Sequence, residues 1–407
     1  MTANPRALAP MLALRPSVWL LISTLLYFFP FVIGEFNYIS PSGQRYAASY
    51  HGGTIFAVAL ALASIVFAIL VFRDAEVDLS ADRRPGGEAA AFIVFFAVFG
   101  IYTLMTPELF SYAKVEVLSA KNRFHYIFED ACQIGMVYAV LAGWRKNVIP
   151  LALSLIGLGL VLYIGHRSAL AVAIAGIFYV AFRNRSLLSL KAWHVISALI
   201  ALAFLVLYKS IYVFVKMGDI AAIKSRLLRD ALWDNAVVGL EQFVTFAHLD
   251  FVVTYNYSLP CSNLWISPVA LVPFMDEIIN ISACGYNRQI QEAYFSGYGG
   301  GVAANIWAEF FANLGYIGIP LVVAVILGAC KIIEYWIGNC NSLLLKSGLI
   351  LSIIEMTVYI QRKELMGGLV SAKRVVIVAI LMYALARVLR PPVREWEARD
   401  SSLASGG

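Results

Sequence analysis

The chain has 407 residues, of which 61% are hydrophobic and 14% charged, and its mean hydropathy is +0.77. A soluble domain carries about 25% charged residues, so this chain has too few to cover a water-facing surface of its size; it reads as an all-α polytopic membrane protein. The formal charge of +6 does not point to nucleic acid, because the basic residues stand in short links beside apolar segments rather than in a soluble module interleaved with aromatics.

Apolar windows long enough for a hydrocarbon core, which takes about 20 helical residues, follow one another along the chain. About ten spans are predicted, at 17–33, 54–72, 91–106, 126–144, 148–164, 169–182, 193–213, 303–330, 348–360 and 375–388. The first has no convincing A-x-A cleavage site and is expected to remain as an anchor. With ten spans, Arg6/Arg15, Arg73/Arg83/Arg84, Arg145/Lys146, Arg183/Arg185/Lys191, Lys331/Lys346 and Arg387/Arg390 all fall on one side. The positive-inside rule makes that side the cytoplasm and puts both termini there. Lys114/Lys121/Arg123 and Arg362/Lys363/Lys373/Arg374, on the other side, weaken the contrast.

The expected organisation is therefore 1–213 for seven helices, 214–302 for one long external and largely helical loop, 303–390 for three helices, and 391–407 for a cytoplasmic tail of disordered composition. No internal duplication of the kind common in transporters is visible. The polar interruption at 216–301 runs to roughly 85 residues, against about 4–6 for an ordinary connection, so function is expected there.

Within that loop, Arg226 and Arg229 stand three apart on a predicted helix and share a face. Their guanidinium groups fit phosphate oxygens as a fork; lipid headgroups, or pairing with Asp230 and Asp234, would use the same two residues. Arg288 is a further external arginine, with Glu292 four residues on. Arg167, in Gly165-His166-Arg167-Ser168, stands at the outer end of a span, where it either snorkels to the interface or meets the headgroup of a lipid-linked substrate. His248 and Asp250 are proton-acceptor candidates, histidine because its ordinary pKa lies near working pH. Glu309 lies a few residues inside an apolar segment, where a carboxylate is expensive and is either functional or paired. Glu129 and Asp130, at the start of the fourth span, share that argument.

The glycine run through Gly299, Gly300 and Gly301 lets backbone approach a ligand closely, but it lacks the GK[ST] of a phosphate loop. There is no HExxH, no GxSxG and no Asp-x-Asp of the metal–nucleotide-sugar type. Five cysteines without CxxC spacing suggest no metal site. Cys261 and Cys284 both fall in the long loop and would pair if it faces an oxidising compartment, or stay as thiols.

Three features together resemble a known family: one long external loop, a G-x-R-S helix start at Gly165/Arg167/Ser168, and a glycine-rich entry through Gly299–Gly301 to Glu309, Asn313, Gly315 and Gly318. The chain resembles the O-antigen (oligosaccharide repeat-unit) polymerases of the Wzy type. The resemblance implies a GT-C-like glycosyltransferase of the bacterial inner membrane, inverting, without cofactor or metal, acting on the periplasmic face. Donor and acceptor would be glycans on undecaprenyl pyrophosphate in the lipid bilayer, with a chain-length regulator as a further partner. By motif, Arg167 would hold the pyrophosphate; Arg226, Arg229 and Arg288 are anion-ligand candidates, and Glu309, His248 and Asp250 catalytic candidates, from the residues themselves rather than from the resemblance. Asn313 and the three glycines would shape the loop. The context of His248 does not match the histidine motif of the related O-antigen ligases, so the base stays unassigned. A ligase, or a transporter of lipid-linked sugars, is the alternative; a transporter predicts charges along a central path.

Overall fold

A computed structural model describes residues 14–33, 37–39, 45–47, 51–71, 77–79, 87–183, 191–226, 241–273, 275, 284–294 and 303–390. These residues are helical apart from connections and one antiparallel ribbon, β1 (Asn37–Ile39) against β2 (Arg45–Ala47). The helices before the long loop are α1 (Pro16–Tyr27), α2 (Phe29–Ile33), α3 (Gly52–Val71), α4 (Glu88–Leu104), α5 (Lys114–Ala120), α6 (Arg123–Leu141), α7 (Val148–Ile164), α8 (Arg167–Phe182) and α9 (Ala192–Met217). The loop contributes α10 (Ile220–Arg226), α11 (Glu241–Thr254) and α12 (Tyr286–Tyr294). The last are α13 (Ile306–Leu314), α14 (Gly318–Asn339), α15 (Leu343–Thr357) and α16 (Leu365–Val388).

Each of the ten predicted apolar segments coincides with helix, although several bounds shift. The last segment starts at Leu365 rather than near 375, so Lys373 and Arg374 lie inside a helix and not in a link. The eighth breaks at Gly315, whose φ of +61° favours glycine, and continues to Asn339 as a separate helix after a short 3-10 turn. Among the described residues, three segments are long and apolar enough to cross a membrane: Gly52–Val71, Ile306–Asn339 and Leu365–Val388. Their outer faces carry exposed apolar side chains, as do those of shorter helices: Phe56, Phe67, Ile101, Ile156, Ile200 and Trp336 all face outward. Such faces suit a lipid surround rather than water.

Contacts between helix ends sort into two groups. At one end, Ser342 donates to Glu88 (2.6 Å), Arg183 pairs with Glu334 (2.6 Å), and Lys346 donates to the carbonyl of Asp78 (2.9 Å). At the other, Thr54 donates to Asp250 (2.7 Å), Asn305 to the carbonyl of Thr245 (2.6 Å), and Lys216 to the carbonyls of Ser111 and Ile164. This pairing is what an up-and-down chain path requires, with successive long helices running antiparallel.

The core is largely apolar, and a buried polar thread runs through it. Trp307, fully buried, donates its indole N–H to Gln361 (2.7 Å). Gln361 donates in turn to Ser23 (3.1 Å) and Thr24 (2.9 Å), and Ser23 donates to the carbonyl of Thr357 (2.6 Å). Every member has a partner, so the thread fixes α1, α13 and the α15–α16 turn against one another instead of costing an unmet polar group.

Candidate functional site

The turn between α15 and α16, residues 358–364, ends at a cavity of about 310 Å³ lined by Tyr359, Arg362, Lys363, Glu364 and Gly367, with Asn287, Ala303 and Ala304 opposite. The segment entering α13 therefore forms one wall, and the loop helix α12 supplies another. Arg362 and Lys363 both stack on the ring of Tyr359, at 5.0 and 4.2 Å from its centroid. A ring face helps to hold cations in place. Lys363 also donates to Glu355 (2.9 Å) and to Ser371 (2.6 Å). Glu364 accepts from the backbone N–H of Asn287 (3.2 Å). Burial raises its carboxyl above the ordinary range, while backbone N–H groups of Asn287 and Tyr286 pull it part of the way back.

Behind this turn, α16 carries Arg374 to α6. Its guanidinium meets Asp130 as a fork, Nε at 2.6 Å and Nη2 at 3.0 Å, and lies 4.6 Å from the centroid of Tyr126. Next to Asp130, Glu129 is hydrogen-bonded to Nδ1 of His166 at 2.8 Å. His166 is placed by Gly165, which closes α7 at φ +111°; a Cβ there would be strained and would stand 3.0 Å from Tyr212. Arg167 is thus the first residue of α8, and it donates to the carbonyl of Leu205 (3.2 Å).

The other residues predicted from sequence fall in three groups. Glu309 and Asn313 sit on α13. The Glu309 carboxylate is buried and accepts from the backbone N–H of Leu365 (2.7 Å), capping the start of α16, while the Asn313 side chain donates to the carbonyl of Glu309 (2.7 Å). His248 and Asp250 lie on α11 and are buried. Asp250 holds Thr54; His248 packs beside Tyr286, 6.2 Å between centroids, and burial lowers its pKa to about 3. Such an imidazole is neutral at working pH and enclosed. Arg288 is exposed and pairs with Glu292 at 2.8 Å on α12, and it is not among the residues lining the cavity. Arg226 ends α10, with only its backbone described, and Arg229, Gly299, Gly300 and Gly301 lie outside the described residues. Cys261 and Cys284 are joined as a disulfide, with Cα atoms 5.4 Å apart.

Comparison with family models, with curated proteins and with solved structures finds no match.

Sequence reading treated Arg362, Lys363 and Arg374 only as charges that blur the topology. Their clustering beside a conspicuous turn, Gln361-Arg362-Lys363-Glu364, was the available signal. Chemically, the cavity offers two cations and one carboxylate of raised pKa within a single concave surface. That combination suits a polyanionic headgroup together with a hydroxyl that must lose a proton.

Proposed function

We propose that the protein is a membrane-embedded glycosyltransferase that joins lipid-linked oligosaccharide repeat units into a polysaccharide, on the outer face of the bacterial inner membrane. The observation that carries this reading is the cavity beside Tyr359, where Arg362 and Lys363 converge at the entry to α13. Ten spans, with the ends of α6, α8 and α16 that carry this cluster on the outer side, complete the topology. The Cys261–Cys284 disulfide supports the placement of the long loop in an oxidising compartment.

In the proposed step, a hydroxyl of the acceptor repeat attacks the anomeric carbon of the donor glycan. The bond from that carbon to the pyrophosphate oxygen breaks, and the undecaprenyl pyrophosphate leaves with the bonding pair. Charge develops on the pyrophosphate oxygens, where Arg362 and Lys363, fixed beforehand by Tyr359, Glu355 and Ser371, stabilise it. Arg167 holds the headgroup from the α8 side. Glu364 takes the proton of the attacking hydroxyl, a role that its raised pKa favours. Direct displacement inverts the anomeric centre.

A cell lacking the protein separates this reading from its neighbours. Loss of a polymerase leaves surface glycan capped at a single repeat. Loss of a ligase leaves polymer stranded on its lipid carrier, and loss of a transporter leaves repeats on the cytoplasmic side. Either of the last two outcomes would overturn the proposal.

A further inference from the structure

A second cluster lies where α6 meets the turn between α7 and α8. His125 and Glu129 are four residues apart on α6 and share a face, and His166 immediately precedes α8. Each of the three offers one ligand atom, and these atoms all lie within 4.8 Å of one another.

The Glu129–His166 hydrogen bond satisfies two of them at 2.8 Å. It leaves His125 unexplained. That side chain is 0% exposed, and neither of its ring nitrogens has a hydrogen-bond partner. A neutral imidazole always presents one N–H and one lone pair, and burying both unmet is unfavourable. Its ring stands 5.4 Å from that of His166, centroid to centroid, so the unmet nitrogens belong to the same small space.

We propose that His125, Glu129 and His166 bind one divalent transition-metal ion of the zinc class. Two imidazole nitrogens and one carboxylate form a set that zinc accepts, with a fourth place left for water. Magnesium and calcium, which prefer oxygen ligands, fit it poorly. The neighbouring Asp130 is matched by Arg374, which leaves Glu129 as the carboxylate that faces the ion. Lys121 and Arg374 are the cations whose charge acts on His125. The ion would tie α6 to the start of α8 and so hold Arg167, one residue beyond a ligand, in register. This inference does not rest on the glycosyl-transfer reading, because the ion joins two helices and takes no part in the transfer step. It replaces the expectation, drawn from cysteine spacing, that the chain holds no metal.

The test uses full-length protein in detergent, without a polyhistidine tag, stripped with chelator and titrated with Co²⁺ and then Zn²⁺. One Co²⁺ per chain is expected, with the visible absorption of a four-coordinate site that Zn²⁺ bleaches. Glu129→Gln, close to wild type in shape, and His125→Ala should each weaken Zn²⁺ binding by more than the roughly 10–100-fold that loss of an outer partner costs. His51→Ala, at an exposed histidine, should leave it unchanged. If both site variants fail to fold, the stoichiometry and spectrum of the wild-type protein decide alone. No stoichiometric ion, or binding indifferent to Glu129→Gln in folded protein, overturns the proposal.

Discussion

The ion pair between Arg374 and Asp130 locks α16 to α6 beneath the cavity, and removing one partner is the sharpest test of that role. The Asp130 side chain is 1% exposed and that of Arg374 31% exposed. Breaking a buried pair by deleting one member costs about 3–5 kcal/mol, mostly for the charge left behind; partial exposure of Arg374 puts Asp130→Ala at the lower end, about 3 kcal/mol. Arg374→Met strands the deeper carboxylate and should cost at least as much. Removing both leaves no stranded charge, so the double variant should be no worse than either single, a coupling of about 3 kcal/mol. The assay is unfolding in mixed micelles titrated with SDS, run on all four proteins of the cycle. Additive single costs, or singles each below about 1 kcal/mol as for a solvent-exposed pair, would refute the interlock.

Arg362→Ala combined with Lys363→Ala should abolish polymer formation in cells while the protein still inserts and unfolds cooperatively; full-length polymer would remove the anion role. Glu364→Gln should also stop transfer without loss of fold, whereas Glu309→Gln, which keeps an acceptor for the N–H of Leu365, should remain active, and Glu309→Leu should cost about 1–3 kcal/mol for the unmet amide. Alkylation of unreduced, unfolded protein should label three cysteines, and all five after reduction. The disulfide closes a separation of 23 residues, so Cys261→Ser should loosen that segment by on the order of 3 kcal/mol, read as faster proteolysis. His248 has a folded pKa of about 3, below its unfolded value, so the unfolded state takes up the proton first. Stability should hold above about pH 6.5 and fall as pH drops toward 3, by about 2 kcal/mol at pH 5. His248→Asn should flatten that decline; an unchanged pH profile would show that the histidine is not enclosed.

The helical, apolar character of the chain was legible in sequence because apolar length is a local property. Residues 148–164 and 169–182 could be read almost to their ends, and Gly165 marked the break between them. The last helix was read late because Lys373 and Arg374 looked like link residues; they are tolerated inside α16 because Asp130, 244 residues away in sequence, meets Arg374. That distance is also why the cluster was missed. Neither charge names the other, and only folding sets them side by side. Glu309 stands out in sequence as a carboxylate inside an apolar segment; the backbone amide of Leu365 that it accepts from is a partner no side-chain motif can reveal. His248 and Asp250 are proton-acceptor candidates by residue type alone; that α11 packs them against α3 and Tyr286 depends on contacts distant in sequence. The glycines at 299–301 and Arg229 lie outside the described residues.

Reconstitution is the most direct measurement of the central claim. Purified protein in vesicles, supplied only with single repeat units on undecaprenyl pyrophosphate, should convert them to a ladder of lengths and release one undecaprenyl pyrophosphate per linkage. Repeats left intact by protein that is folded and correctly oriented would contradict the account.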